Sequence, residues 1–277
     1  MNAGLHEWPL IIFTVLAQSA VGAFLLMTAL LWQTESIPYR QSVHKRMLVW
    51  LFLLGIGFIA SILHLGSPLR AFNAFNRIGQ SMLSNEIVSG IAFFTFAGLY
   101  WLLSVLNKMP RGLEKTGLIL TALLGLIFMY MMNQVYHIRT VPTWNSSLTS
   151  WSFYLTVLIG GSALGYVLWN HQQAPHTLSK VRQLLIVGIA LAAVIAVYQA
   201  FMLGQIQSSV QQAAALVPDY AFMTVMRLLC LAIGAALLFR NNAMLSLLSV
   251  VLILGAEMIG RTLFYGMHMT VGMAVNS

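Results

Sequence analysis

Eight apolar runs, each about one membrane crossing long, govern what this polypeptide can fold into. They lie near residues 9–32, 46–65, 86–106, 116–138, 151–170, 181–204, 219–240 and 244–268. About 20 residues of helix cross the roughly 30 Å of hydrocarbon in a bilayer. Inside lipid every backbone N–H and C=O must be satisfied within the protein, and for runs this long and continuous the α-helix does so. The polar clusters between the runs are short, such as Gly66-Ser67-Pro68, Asn170-His171-Gln172-Gln173 and Asn241-Asn242, and leave no room for a soluble domain. The expected fold is therefore an all-α integral membrane protein, one membrane domain over residues 1–277 with eight transmembrane helices. Composition agrees: 7% of residues are charged, against about 25% in soluble domains. That scarcity excludes an ordinary soluble enzyme, a nucleic-acid-binding module and a disordered polypeptide.

The few charges are distributed unevenly. The loops after spans one, three, five and seven hold Arg40, Lys45, Arg46, Lys108, Arg111, Lys115, Lys180, Arg182 and Arg240, and the other face holds Arg70, Arg77 and Arg139. Nine against three places the odd loops in the cytoplasm, because basic loops resist translocation. Both termini then face outward, which in a bacterial inner membrane means the periplasm. The formal net charge of +8 is thus an orientation signal rather than a nucleic-acid footprint. The segment before Pro9 has no Lys or Arg, so residues 9–32 read as a retained first span rather than a cleaved signal. Cys230 is the single cysteine. It supports no disulfide and no cysteine-based metal site, so metal clusters would belong to a partner.

Ionisable groups within spans cost about 2.5–3.5 kcal/mol each on insertion scales and mark candidate sites. His64 ends span two, Glu86 opens span three, Arg227 lies in span seven, and Glu257, Arg261 and His268 lie along span eight. Glu257 and Arg261 are four residues apart, share a helix face and can pair. Arg227 has a choice of Glu257 or Glu86. A neutralised internal pair that locks the helices is the plain reading of these residues. His64 and Glu86 return to one membrane depth on the outer side. A histidine and a carboxylate at one level are what quinol oxidation requires, the imidazole accepting a quinol proton and the carboxylate passing it to water. The alternative is a helix-end histidine bonded to a loop carbonyl, with Glu86 favoured by the helix dipole.

Bis-histidine haem needs facing histidines at one depth. His64, His137 and His268 lie toward the outer side, whereas His44, His171 and His176 lie at inner loops. Two haems are excluded and a single outer haem is left open. The outer loops 66–85, 139–150 and 204–220, rich in aromatic, Arg and amide side chains, suit a docking face for an outer partner.

Several strings are specific enough to place the sequence in a family. His6-Glu7-Trp8-Pro9-Leu10, Gly55 to Ser61 running into His64-Leu65-Gly66-Ser67-Pro68, and Leu83-Ser84-Asn85-Glu86-Ile87 resemble DmsC-type membrane-anchor subunits of the dimethyl sulfoxide reductase family. Ser208 to Tyr220 and Gly266 to Val275 are similar too, so the resemblance runs end to end. It implies eight spans with periplasmic termini, no haem or iron–sulfur cluster in this subunit, and menaquinol bound and oxidised near the periplasmic face. It further implies electron transfer to an iron–sulfur subunit and on to a molybdopterin catalytic subunit, both periplasmic, in anaerobic respiration. The family's quinol histidine falls on His64 and its carboxylate on Glu86. Arg70, Arg77, Arg227, Glu257, Arg261 and His268 are further candidates, for the site or for internal structure. With quinol protons released where the electrons are used, little net charge should cross the membrane. The rivals are a secondary transporter or proton conductor working through Glu257, Arg261 and Arg227, and an anchor with no quinol site of its own.

Overall fold

The computed structural model describes residues 2–64, 68–169, 175–207, 212–240 and 242–270. Side chains at 2, 3, 68–72, 111 and 175–177 lie outside that description. The element order is α1 (Asn2–His6), α2 (Trp8–Gln33), α3 (Ile37–His64), a 3-10 helix (Pro68–Arg77), α4 (Met82–Val105) and α5 (Arg111–Val135). Then follow α6 (Ser147–Trp169), α7 (Pro175–Leu203), α8 (Ala213–Leu216), α9 (Tyr220–Leu238) and α10 (Ala243–Gly266). Eight of these helices are long and apolar enough to cross a membrane, so this is a multi-pass membrane protein.

Local chemistry sets the helix ends. Pro9 stands in the first turn of α2, where its missing N–H costs nothing. Ser81 caps α4, and the Asn242 side chain accepts from the amides of Met244 and Leu245 at 2.9 and 3.2 Å to start α10. Two basic residues cap helix C-termini, where carbonyls lack partners. Arg40 donates to Leu31 O and Thr34 O at 2.5 and 2.7 Å, and Arg46 donates to Leu168 O at 2.8 Å. The Arg40 contacts help explain why α3 begins at Ile37, ahead of the apolar run at 46–65. Its first turns carry buried Tyr39, Val43, His44 and Met47 along one face, so the polar stretch is amphipathic rather than a loop.

The central helix is α2, which packs against α3, α5, α6 and α10. It can be central because its middle, Gln18-Ser19-Ala20-Val21-Gly22-Ala23, is small. The α2–α6 crossing is the closest approach. A Cβ at Gly22 would fall 2.0 Å from Val157 O, and one at Gly161 would fall 2.5 Å from Gly22 Cα. Only glycine at both positions lets the backbones meet, the packing device of helices in lipid. The rim is different. Val197 and Phe201 on α7 and Leu247 and Val251 on α10 are exposed, as expected of surfaces facing acyl tails. The up-and-down path brings Glu7, His64, Glu86, Tyr136, Trp144 and Tyr265 to one end of the bundle. Arg40, Arg46, Lys108, Lys115, Arg182 and Arg240 gather at the other.

Candidate functional site

His64 is the last residue of α3, and its side chain is exposed. Its Nε2 lies 3.4 Å from Glu7 Oε2. Glu7 occupies the break between α1 and α2, where its amide donates to Gly4 O at 3.2 Å and its carbonyl accepts from Ile11 N at 3.0 Å. The short α1 is seated on the end of α10, so closely that a Cβ at Gly4 would fall 2.3 Å from Thr262 O. The N-terminal segment is thereby anchored and its acid is delivered to the end of α3. Sequence spacing points to Glu86 as the acid beside His64; among the described ion pairs the partner is Glu7. A carboxylate distant in sequence but adjacent in space carries no spacing signal, although Glu7 stands in the His6-Glu7-Trp8-Pro9 string.

Glu86 lies in the first turns of α4 and is buried, with 4% of its surface exposed. Among the described residues its Oε1 has no hydrogen-bond partner. A carboxyl oxygen buried without a donor is costly and accounts for itself best if a ligand supplies the donor. The burial also changes the role expected of it, since little of Glu86 reaches the surface. At the same end of the bundle the Tyr136 and Tyr265 hydroxyls bond to each other at 2.5 Å. Around them stand Trp144, stacked on Phe264 at 5.1 Å with its Nε1 donating to Phe264 O at 2.9 Å, and Phe153. The His268 ring packs 4.7 Å from Trp144. Sequence reasoning missed this aromatic wall. Its one signal is that Tyr136 and Phe264-Tyr265 sit at the same end of their helices.

A second polar group lies deeper, with Glu257 about 13 Å below the Gly266 end of α10 at 1.5 Å per residue. Arg227 Nη2 donates to Glu257 Oε1 at 3.0 Å, and Thr156 donates to Glu257 Oε2 at 2.5 Å. Arg261 Nη2 donates to Gln18 Oε1 at 2.7 Å and to Thr156 Oγ1 at 3.1 Å. The Arg261 guanidinium also lies 3.7 Å over the Phe153 ring. The expected pairing of Glu257 with Arg261 is thus corrected. The two share a face, but Thr156 of α6 enters between them, and Arg261 turns to Gln18 of α2. Glu257 takes Arg227 as its ion pair, and Arg227 does not meet Glu86 among the described contacts.

The remaining candidates fall apart spatially. His137 bonds Ser150 Oγ at 2.8 Å. Arg77 is exposed at the end of the 3-10 helix. The Arg70 side chain lies outside the described residues, as do residues 65–67 and 208–211 of the expected docking loops. Among the described residues no three His, Cys, Asp or Glu side chains converge as a metal-binding group.

The opposite end holds another histidine with an acid. His44, buried, bonds Tyr100 Oη at 2.9 Å and approaches Glu114 at 3.8 Å, and Glu114 is paired to Arg40. These four groups partner one another, which suits a cluster that closes helix ends, although Tyr39 Oη and Ser104 Oγ at that end are buried without partners among the described residues. At the His64 end it is two carboxyl oxygens, Glu7 Oε2 and Glu86 Oε1, that are buried without a donor among the described residues.

These features define the class: a multi-pass helical membrane protein with an acidic, aromatic-walled site at one end of its bundle. The family model described as DMSO reductase anchor subunit (DmsC) matches residues 1–267. The sequence is 56% identical to the C subunit of the anaerobic dimethyl sulfoxide reductase of Haemophilus influenzae, over 99% of both proteins. It is 46% identical to the YnfH subunit of an anaerobic dimethyl sulfoxide reductase of Escherichia coli, over 99% of both. It is 44% identical to the C subunit of that organism's anaerobic dimethyl sulfoxide reductase, over the whole of both. The protein belongs to the DMSO reductase anchor subunit family, and its role is that of a membrane anchor.

Proposed function

We propose that this anchor binds and oxidises menaquinol at the His64 end of the bundle, in the bacterial inner membrane with that end and both termini facing the periplasm. One quinol hydroxyl gives its proton to His64, and Glu86 receives the second hydroxyl through its free oxygen. The two electrons leave for an iron–sulfur subunit docked over the same end, and from there for a molybdopterin subunit that reduces an S- or N-oxide. The carrying observation is the buried Glu86 Oε1 with no donor among the described residues, at the end where His64 stays accessible. The basic gathering at the opposite end supports the orientation. The segments 68–81, 136–146 and 212–219 around the site offer the docking face.

The test uses the assembled complex in membranes. Turnover driven by a menaquinol analogue is compared with turnover driven by a reduced viologen dye, which bypasses the quinol. His64→Ala and Glu86→Ala should each lower quinol-driven turnover about 100-fold, the low end for loss of an acid–base group. Quinol-driven turnover within twofold of the parent, with normal dye-driven turnover, would refute the site.

A further inference from the structure

We infer that Glu7 is the positioning residue that holds His64 for proton transfer and takes the proton away, an inference that rests on the quinol reading above. Three observations converge on it. Glu7 Oε2 approaches His64 Nε2 at 3.4 Å, and it is a buried atom with no other hydrogen-bond partner among the described residues. The pair joins the start of α2 to the end of α3, and α1 fixes Glu7 from behind by packing on α10. Finally, both side chains are a little over one-third exposed, 38% for His64 and 36% for Glu7, whereas Glu86 is buried.

The geometry divides the labour between two acids. With Nε2 turned to Glu7, the imidazole keeps Nδ1 for substrate. When the quinol O–H bond breaks, Nδ1 gains the proton and the ring becomes an imidazolium, its charge beside the Glu7 carboxylate. An opposite charge at this separation favours the protonated ring while the electrons depart to the iron–sulfur subunit. The proton on Nε2 then passes to Glu7 and to water, and the proton left on Nδ1 returns to Nε2 by exchange with water, which frees Nδ1 for the next turnover; the second quinol proton goes to Glu86 Oε1 as the second electron leaves and reaches water when the quinone departs. No reactant beyond quinol and the electron-accepting subunit is needed. Glu86, which is buried, orients the quinol from the inner side.

The experiment is a double-mutant cycle in the assembled complex, with dye-driven turnover of each preparation normalising for the amount of assembled enzyme. Glu7→Gln, which keeps shape and loses charge, should lower quinol-driven kcat about tenfold, part of the roughly 10²–10⁴ an acid–base group supplies. KM for the quinol analogue should move less than twofold, and Glu7→Asp should recover most of the loss. In a His64→Gln background, Glu7→Gln should change nothing further. Unchanged kcat in Glu7→Gln, or the same tenfold loss in the His64→Gln background, overturns the inference while the quinol reading stands. Full quinol-driven turnover in His64→Gln alone overturns the quinol reading itself.

Discussion

Removing the carboxylate of Glu257 should unfold this protein more readily than almost any other single change in its core. Glu257 is 1% exposed and is paired with Arg227, and through Thr156 it also touches Arg261. Glu257→Leu fills a similar volume but leaves two guanidiniums inside the bundle without a carboxylate. Breaking a buried pair by removing one partner costs about 3–5 kcal/mol, because the surviving charge stays desolvated. At about 2–4 °C per kcal/mol for proteins of 150–250 residues, the melting temperature should fall by roughly 6–20 °C. The second half of the prediction is more discriminating. Glu257→Leu combined with Arg227→Leu removes the pair as a unit, and replacing a buried ion pair by apolar residues is often close to neutral. The double variant should therefore melt well above the single one. The assay is thermal unfolding of the purified complex in mild detergent, followed by loss of monodisperse protein. A single variant as stable as the parent, or a double variant no better than the single, would refute the view that Glu257 compensates these charges.

Two further outcomes follow from the packing and the charge pattern. Gly161→Ala places a methyl 2.5 Å from Gly22 Cα, forcing α2 and α6 apart at a cost of about 1–3 kcal/mol or more; lower yield and an earlier melt should be seen, while Gly98→Ala, with open space around its Cβ, should be silent. With Cys230 replaced by Ser, a cysteine at Asn145 should react with a membrane-impermeant thiol reagent in intact cells, and one at Lys108 should react only after lysis. The reverse pattern would invert the orientation.

The parts of this molecule that are legible in the sequence are those that depend on one helix at a time. Lipid leaves the backbone few choices, so the eight apolar helices can be read from run lengths, and the basic loops collect at one end as their positions require. What escapes depends on several helices meeting. Glu257 and Arg261 have the right spacing to pair, yet Thr156, on a helix distant in sequence, takes the space between them. Glu7 reaches His64 because α1 folds onto α10, a contact decided by two glycine-lined surfaces rather than by any motif. Tyr136 and Tyr265 carry no sequence signal because their mutual bond joins helices far apart along the sequence. The basic start of α3 reads as loop until Arg40 is seen capping α2 and Val43 and His44 are seen buried.

Photo-crosslinking tests the central claim most directly, because the protein has a histidine near an acid at each end of its bundle. An azido-naphthoquinone analogue would be irradiated with the assembled complex in native membranes, and the adducts mapped by peptide mass spectrometry. The account predicts labelling of the segments carrying Glu7, His64, Glu86 and Tyr136, competed away by excess menaquinol analogue. Competable labelling confined to the segments carrying His44, Tyr100 and Glu114, at the opposite end, would contradict it.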